Sequence, residues 1–138
     1  MNVEMKCVIM IDEELPLGLI ANTAAILGMS FGNMAPDLIG CDVEDKDKVI
    51  HKGIISTPLP ILKGHDRWET VFQKLKDPAF ADVQVIDFTR TAQCCKHYEE
   101  YIEHMSQCSQ HDLTYMGIVL YGTKKQINAL TGSLPLLR

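Results

Sequence analysis

The sequence predicts an α/β fold built around a mixed sheet of about four strands, with helices on both faces of that sheet. Short apolar runs, typical of buried strands, alternate along the chain with segments whose apolar residues recur at helical spacing. The length of 138 residues gives room for a single domain, 1–138. The composition, 46% hydrophobic and 22% charged, is that of a globular protein with a substantial core.

The first strand and the first helix are predicted from the N-terminal third of the chain. Met5–Ile11 is an apolar run ended by acids, which is typical of a strand buried on both faces. Pro16 suits the first turn of a helix, where its missing N–H costs nothing. The uncharged run Leu15–Pro36 is long enough to span a membrane, but it contains polar residues and glycines, so we interpret it as a buried helix. Its small residues form one smooth stripe that predicts close packing: Gly18, Ala21, Ala25, Gly28 and Gly32.

The next segment predicts a loop, a strand and a helix. Cys41–Lys48 is acidic, but its spacing lacks the pattern of a calcium-binding loop, so we interpret it as a solvated loop. Val49–Ser56 is the second predicted strand, and the two prolines of Thr57–Pro60 exclude that stretch from a central strand. Asp66–Lys76 is predicted to be a helix with one apolar face and Asp66 as its cap.

The last part of the chain predicts two more strands, each followed by a helix. Val83–Phe88 is the third strand, and the polar segment Thr91–Cys108 is predicted to form a single helix. Met116–Leu120 is the fourth strand, and Lys124–Leu130 forms a short final helix.

Charge and cysteine content narrow the classes of function. Lys and Arg total 13 and Asp and Glu total 18, and the net charge of -5 disfavours a nucleic-acid-binding surface. The five cysteines, an odd number with no positively charged leader before them, predict a reducing, cytoplasmic location. We expect no membrane partner, and we assign no cofactor.

A cluster of acidic, hydroxyl and basic residues, 87–91, follows the third predicted strand. Open α/β folds place their sites at such strand ends. Asp87 has the chemistry to orient a water, Thr91 to hold that water or a substrate carbonyl, and Arg90 to clamp an anion. In the alternative interpretation, Thr89 or Thr91 caps the next helix, and Asp87 pairs with Arg90 on the surface.

Thiols and imidazoles recur along the predicted polar helix at Cys94, His97, His104, Cys108 and His111. We interpret this stripe as the half-exposed border of the helix and assign no metal ligands, because a straight helix does not make a tetrahedral ligand set converge. A nucleophilic site at one of the adjacent cysteines 94 and 95 would need a partner histidine that the sequence does not identify.

Several of these segments together resemble the class II peptidyl-tRNA hydrolase superfamily and, more narrowly, an uncharacterised bacterial family of unknown function that shares its fold. The segments that carry the narrow resemblance are Lys6–Ile9, Leu15–Asn22, His51–Ile54 and Lys124–Arg138. Asp87-x-x-Arg90-Thr91 is similar to the hydrolases' Asp-Ala-Gly-Arg-Thr, in which the Asp and the Thr belong to the active site. The resemblance implies a peptidyl-tRNA hydrolase class II-like fold and catalytic roles for Asp87 and Thr91.

Three functional elements of the hydrolases are replaced in this sequence. Gly18 is flanked by Leu17 and Leu19 where the hydrolases have lysines. Ile26 stands at the position of a histidine in their first helix, and Gly117 at that of a threonine in their last strand. Because leucines cannot bind a tRNA phosphate, we expect neither tRNA binding nor peptidyl-tRNA hydrolysis.

These observations predict a cytoplasmic homodimer that binds a small molecule or a partner and lacks tRNA hydrolase activity. The alternative is a hydrolase of a small ester or amide, in which Asp87 positions water and Thr91 or Asn22 holds the substrate carbonyl. The site is expected where the first helix begins and the third strand ends, and its residues are Gly18, Asn22, His51, Asp87, Arg90 and Thr91. A pocket that joins Asp87, Thr91, Asn22 and His51 would favour the enzyme.

Overall fold

A computed structural model describes residues 3–138, and a mixed four-stranded sheet lies at its centre. The strand order is β4-β1-β6-β5. β1 (Met5–Ile11) pairs in parallel with β4 (Ile61–Lys63) and antiparallel with β6 (Tyr115–Thr123). β5 (Gln84–Thr89) pairs antiparallel with β6 and forms one edge of the sheet. The predicted α/β class and the mixed sheet of four strands are confirmed.

Helices lie on both faces of the sheet. In the described part of the chain they are α1 (Leu17–Met34), α2 (Trp68–Leu75), α3 (Arg90–Cys94), α4 (Tyr98–Ser106) and α5 (Lys124–Thr131). Single 3-10 turns are formed by Pro36–Leu38, Pro78–Phe80 and Gln110–Asp112.

The alternating side chains of the central strands build two separate cores. Val8 and Met10 of β1 pack towards α2 and α5, together with Ile127 of α5. Cys7 and Ile9 of the same strand point to the opposite face, towards α1. Since successive strand residues face opposite sides, an uninterrupted apolar run such as Met5–Ile11 is required where both faces are covered.

α1 buries a narrower face than the sequence predicted. Thr23, Leu27 and Phe31 are buried against the sheet, whereas most of the small-residue stripe lies on the outer side. A Cβ atom added at Gly18 or Gly28 would meet nothing within 4 Å. The expectation of a buried helix with its small residues in tight packing is therefore wrong for this stripe. By length and composition alone α1 would suffice to cross a membrane, but here its buried face is part of the core.

Replacing Thr23 with valine is expected to raise the free energy of unfolding by about 1–2 kcal/mol. The Thr23 side chain is fully buried and its Oγ1 has no hydrogen-bond partner among the described residues. Valine keeps the shape and removes the unpaired hydroxyl. Urea denaturation would measure the change, with Thr23→Ser as the control that keeps the hydroxyl and loses a methyl. A less stable Thr23→Val variant would contradict this assignment.

The second predicted strand, Val49–Ser56, is not part of the main sheet. Its one strand is Ile50–His51 (β3), which pairs with Val43–Glu44 (β2) from the expected acidic loop to form a hairpin, and Ile55 forms an isolated bridge with Ile39. The hairpin residues 41–52 are all exposed. The sheet is instead completed by β4, which begins directly after Pro60, whose carbonyl accepts a hydrogen bond from the Ile9 N–H.

The single polar helix predicted over Thr91–Cys108 is also wrong, because the chain breaks between α3 and α4. Cys95 and His97 both adopt extended backbone conformations. The short α3 is capped by Thr89, whose hydroxyl accepts a hydrogen bond from the Ala92 N–H at 3.3 Å. This cap is the alternative role that the sequence left open for Thr89.

Candidate functional site

A cleft of about 690 Å³ lies beside the edge strand β5, and we call it the Asp87 cleft. One wall comes from the second half of α1 and includes Ile26, Ser30 and Met34. The opposite wall comes from the α3–α4 segment and includes Cys95, His97 and Tyr101, with Tyr98 beside them. Residues 85–88 of β5 form the floor of the cleft. This floor is open because β5 is an edge strand that pairs with β6 on one side only.

Three titratable groups in this cleft have pKa values above their ordinary values. Partial burial raises the pKa of Asp87 above its ordinary value of 3.8. Burial also raises the pKa of the Tyr101 phenol, and the Asp87 carboxylate adds to that shift. The pKa of the Cys95 thiol is raised by burial and then by the nearby Glu100 and Cys94. These shifts disfavour the ionised forms of the three groups, although Asp87 is an exposed residue.

Asp87 is expected to make the protein less stable as the pH rises from about 4 towards 7. Because its native pKa is raised, the native state holds the Asp87 proton to a higher pH than the unfolded state does. The free energy of unfolding of Asp87→Asn should therefore increase relative to the wild type across this range. Urea denaturation at several pH values measures it, with Asp66→Asn in a different cleft as the control. The same pH trend in both variants would contradict the prediction.

The structure divides the predicted site residues between several places. Asp87 lines the cleft described above, whereas Arg90 and Thr91 line a second cleft of about 450 Å³. Gly18 and Asn22 are exposed on the first turns of α1 and line neither cleft. Among residues 3–138 no ion pair joins Asp87 to Arg90, so the surface-pair alternative is not observed either.

His51 lies in the exposed hairpin, where it has a local partner. Its Nε2 is 2.7 Å from the Asp45 carboxylate. That hydrogen bond, followed by one from the Val49 N–H, lowers the pKa of Asp45. These contacts hold the turn between β2 and β3 together, and His51 lines neither the Asp87 cleft nor the second cleft.

The break between α3 and α4 brings together three side chains that the sequence did not group. A thiol, a carboxylate and an imidazole, from Cys95, Glu100 and His104, offer atoms that all lie within 4.8 Å of one another. Cys95 Sγ is 3.6 Å from His104 Nδ1, and it donates a hydrogen bond to the Thr91 carbonyl oxygen at 3.1 Å. His104 is thus the partner that the sequence could not supply for a cysteine nucleophile. The raised pKa of the thiol nevertheless disfavours the thiolate that a nucleophile requires.

A third, acidic cleft of about 750 Å³ lies where the parallel strands β1 and β4 end. Its carboxylates are those of Asp12, Glu13, Glu14 and Asp66, beside the stacked rings of Trp68 and Tyr115. Glu13 accepts hydrogen bonds from the His65 N–H and faces its Nδ1 at 3.1 Å, which fixes a turn where His65 has a φ of 50°. Sequence reasoning missed this cleft, although Asp12–Glu14 directly follow the first buried strand.

Comparison with known proteins gives a family and a fold. Residues 5–138 match the model of a family described as a protein of unknown function (DUF2000). No curated protein matches the chain. A solved structure, that of the protein of unknown function Atu0240 from Agrobacterium tumefaciens strain C58, superposes with a TM-score of 0.84 at 14% sequence identity, covering 99% of this chain and 100% of that chain. At this identity the likeness shows the fold alone.

Proposed function

The chain belongs to the DUF2000 family of proteins of unknown function, and we propose that it binds, in the Asp87 cleft, a small molecule with an apolar body and a hydrogen-bond-donating group. The observation that carries this proposal is the clustering of Asp87, Cys95 and Tyr101, each with a raised pKa, in one concave and largely apolar cleft. Desolvated titratable groups in a cleft with apolar walls are typical of ligand sites.

The Asp87 carboxylate sets the polarity of the ligand. An ionised carboxylate accepts hydrogen bonds and donates none. In the described part of the chain, no side chain donates a hydrogen bond to Asp87. An amine or hydroxyl of a bound molecule would supply the missing donor, while Ile26, Met34 and Tyr101 would cover its apolar part.

The same cleft supports the expectation that the protein does not hydrolyse peptidyl-tRNA. Ile26, which stands where the resemblance expects a histidine, lines the cleft with Asp87. An isoleucine offers no general base, and Leu17, in place of a lysine, is 82% exposed on the surface. The peptidyl-tRNA hydrolase-like fold itself stays a prediction. An assay with peptidyl-tRNA should show no release of peptide above background.

The alternative function, hydrolysis of a small ester or amide, has less support than binding. It requires Asp87 and Thr91 to act on one substrate, but these residues line different clefts. The side chains that would assist Asp87 are instead Ser30, His97 and Tyr101. Turnover of a small ester that disappears in Asp87→Ala but not in Thr91→Ala would favour an enzyme with that revised set.

The proposal can be tested with two matched sets of small aromatic molecules. Benzylamine and phenethylamine present a donor to Asp87, whereas benzoate and phenylacetate present a carboxylate that Asp87 should repel. Titrations followed by amide chemical shifts are expected to show that the amines perturb residues in the second half of α1 and in β5. The carboxylates should give no saturable change there.

Two variants test whether the amines bind at Asp87. Asp87→Asn is expected to weaken amine binding by at least about tenfold, the range for losing a hydrogen bond to a charged group. Asp66→Asn, in the acidic cleft beside Trp68, is the matched control and should leave binding unchanged. Equal loss in the two variants, or amine binding that is insensitive to both, would refute the assignment of this cleft.

We also propose, as the sequence predicted, that the protein forms a symmetric dimer in the cytoplasm. The outer face of α1 supports a dimer, because Leu17 and Met29 are 82% and 84% exposed and the helix carries no charge. Light scattering is expected to give twice the chain mass of 15.5 kDa. Ala25→Glu, on that face, should reduce the mass to that of one chain. A wild-type mass of one chain at all concentrations would rule the dimer out.

A further inference from the structure

The segment that joins α3 to α4 places three potential metal ligands around one point. Cys95 lies in the extended break, whereas Glu100 and His104 lie one turn apart on the same face of α4. A straight helix could not bring a residue nine positions earlier next to His104. The break between the two helices allows Cys95 Sγ to contact the imidazole of His104.

The distance between the two strongest ligands matches that expected around zinc. Cys95 Sγ and His104 Nδ1 are 3.6 Å apart. Zn–S and Zn–N bonds at a tetrahedral angle separate sulfur and nitrogen by about 3.6 Å. The carboxylate of Glu100 lies within 4.8 Å of both atoms, a gap that side-chain torsions can close.

The ligand types also point to one class of metal. A thiolate, a carboxylate and a neutral imidazole together carry two negative charges, which match a divalent ion. Sulfur and imidazole ligands favour zinc over magnesium or calcium, which prefer oxygen ligands alone. The Cys95 thiol now donates a hydrogen bond to the Thr91 carbonyl oxygen. Metal binding would release the proton of this thiol to solvent.

The geometry points to a zinc site formed by Cys95, Glu100 and His104, with a fourth coordination position left to water or to a ligand. Three protein ligands and one open position are the arrangement of catalytic rather than structural zinc sites. Cys95 lines the Asp87 cleft and His104 lines the neighbouring cleft of Arg90 and Thr91. The ion would therefore lie in the wall that separates the two clefts. This site differs from the stripe of cysteines and histidines that the sequence suggested, since it uses neither Cys94 nor His97.

Cobalt(II) titration of the full, reduced and metal-free chain tests this site. Cobalt(II) can replace zinc in such a site, and its absorption spectrum shows which ligands bind the metal. We expect one equivalent to bind with a thiolate-to-cobalt charge-transfer band in the near ultraviolet and the strong visible bands of tetrahedral coordination. Zinc should then displace the cobalt and remove both signals.

Variants separate this site from other thiols on the chain. Cys95→Ser should abolish the thiolate band, and His104→Ala, at an exposed position, should weaken binding by at least about tenfold. Glu100→Gln should weaken binding but keep the thiolate band. Cys94→Ser is the matched control, because it removes the adjacent exposed thiol and should change nothing.

Two results would overturn the zinc site. One is a wild-type chain that shows no thiolate band at saturating cobalt, which would leave the Cys95–His104 contact as a hydrogen bond. The other is equal loss of binding in Cys94→Ser and Cys95→Ser. Circular dichroism of each variant distinguishes loss of metal from loss of fold, and the exposed His104→Ala variant keeps the test valid if Cys95→Ser does not fold.

Discussion

Replacing Ile118 with alanine is expected to lower the free energy of unfolding by about 2–5 kcal/mol. The Ile118 side chain is fully buried in the core between the sheet and helices α2 and α5. It lies on β6, the strand that pairs with both β1 and β5, opposite Met10 on one side and Asp87 on the other. The cavity would therefore open in the middle of the sheet, where neighbouring strands limit relaxation.

Urea denaturation followed by the fluorescence of Trp68 measures this loss. The indole packs against Phe72 and Tyr115 in the same core, so its emission reports the integrity of that core. Ile102→Ala is the control, since Ile102 is 58% exposed on α4 and should change stability by less than about 0.5 kcal/mol. Similar losses in the two variants would show that the core is placed wrongly.

Replacing Gly117 with valine is expected to lower the free energy of unfolding by about 1–3 kcal/mol and to displace α1 from the sheet. A Cβ atom at Gly117 would lie 2.8 Å from Thr23 Cγ2, 2.9 Å from Leu27 Cδ1 and 3.2 Å from Ile11 Cδ1. Two of these distances are too short for real carbon atoms. The missing side chain is thus what allows α1 to approach β6.

The Gly117→Val substitution is also expected to change the shape of the Asp87 cleft. One wall of the cleft comes from α1, so a displaced helix should also weaken amine binding without any change in Asp87 itself. Gly28→Ala is the matched control, because a Cβ atom added at Gly28 would meet nothing within 4 Å in the same chain. It should raise the free energy of unfolding by about 0.5–1 kcal/mol, the usual gain for replacing a mid-helix glycine. A neutral Gly117→Val variant would contradict the close contact.

Elements specified by local signals could be predicted from the sequence. The bounds of β1 and the start of α1 follow from an apolar run and a proline, and the structure confirms both. The last helix, predicted over Lys124–Leu130, is Lys124–Thr131 (α5) in the structure, where the Thr123 hydroxyl accepts a hydrogen bond from the Gln126 N–H. Each of these signals lies within a few residues of the element that it specifies.

Two errors arose where the deciding interactions are distant in sequence. β4 has three residues and no distinctive pattern, and its place depends on pairing with β1 and on a bridge between Leu62 and Leu136 near the C-terminus. The break before α4 has no proline or glycine to mark it. It is accompanied by the contact of Cys95 with His104, which no helical periodicity reveals.

The composition of the site was likewise decided by tertiary structure. The sequence identified Asp87 at the end of a buried strand, and that residue does line a cleft. Which part of α1 lies beside this end of β5 depends on the position of the helix along the sheet. Gly117, opposite Phe88 in register, faces Thr23 and Leu27, so this end of β5 lies level with the middle of α1. The sequence therefore determined the acid and its strand, whereas the packing of α1 placed Ile26 and Ser30, rather than Gly18 and Asn22, in the wall beside it.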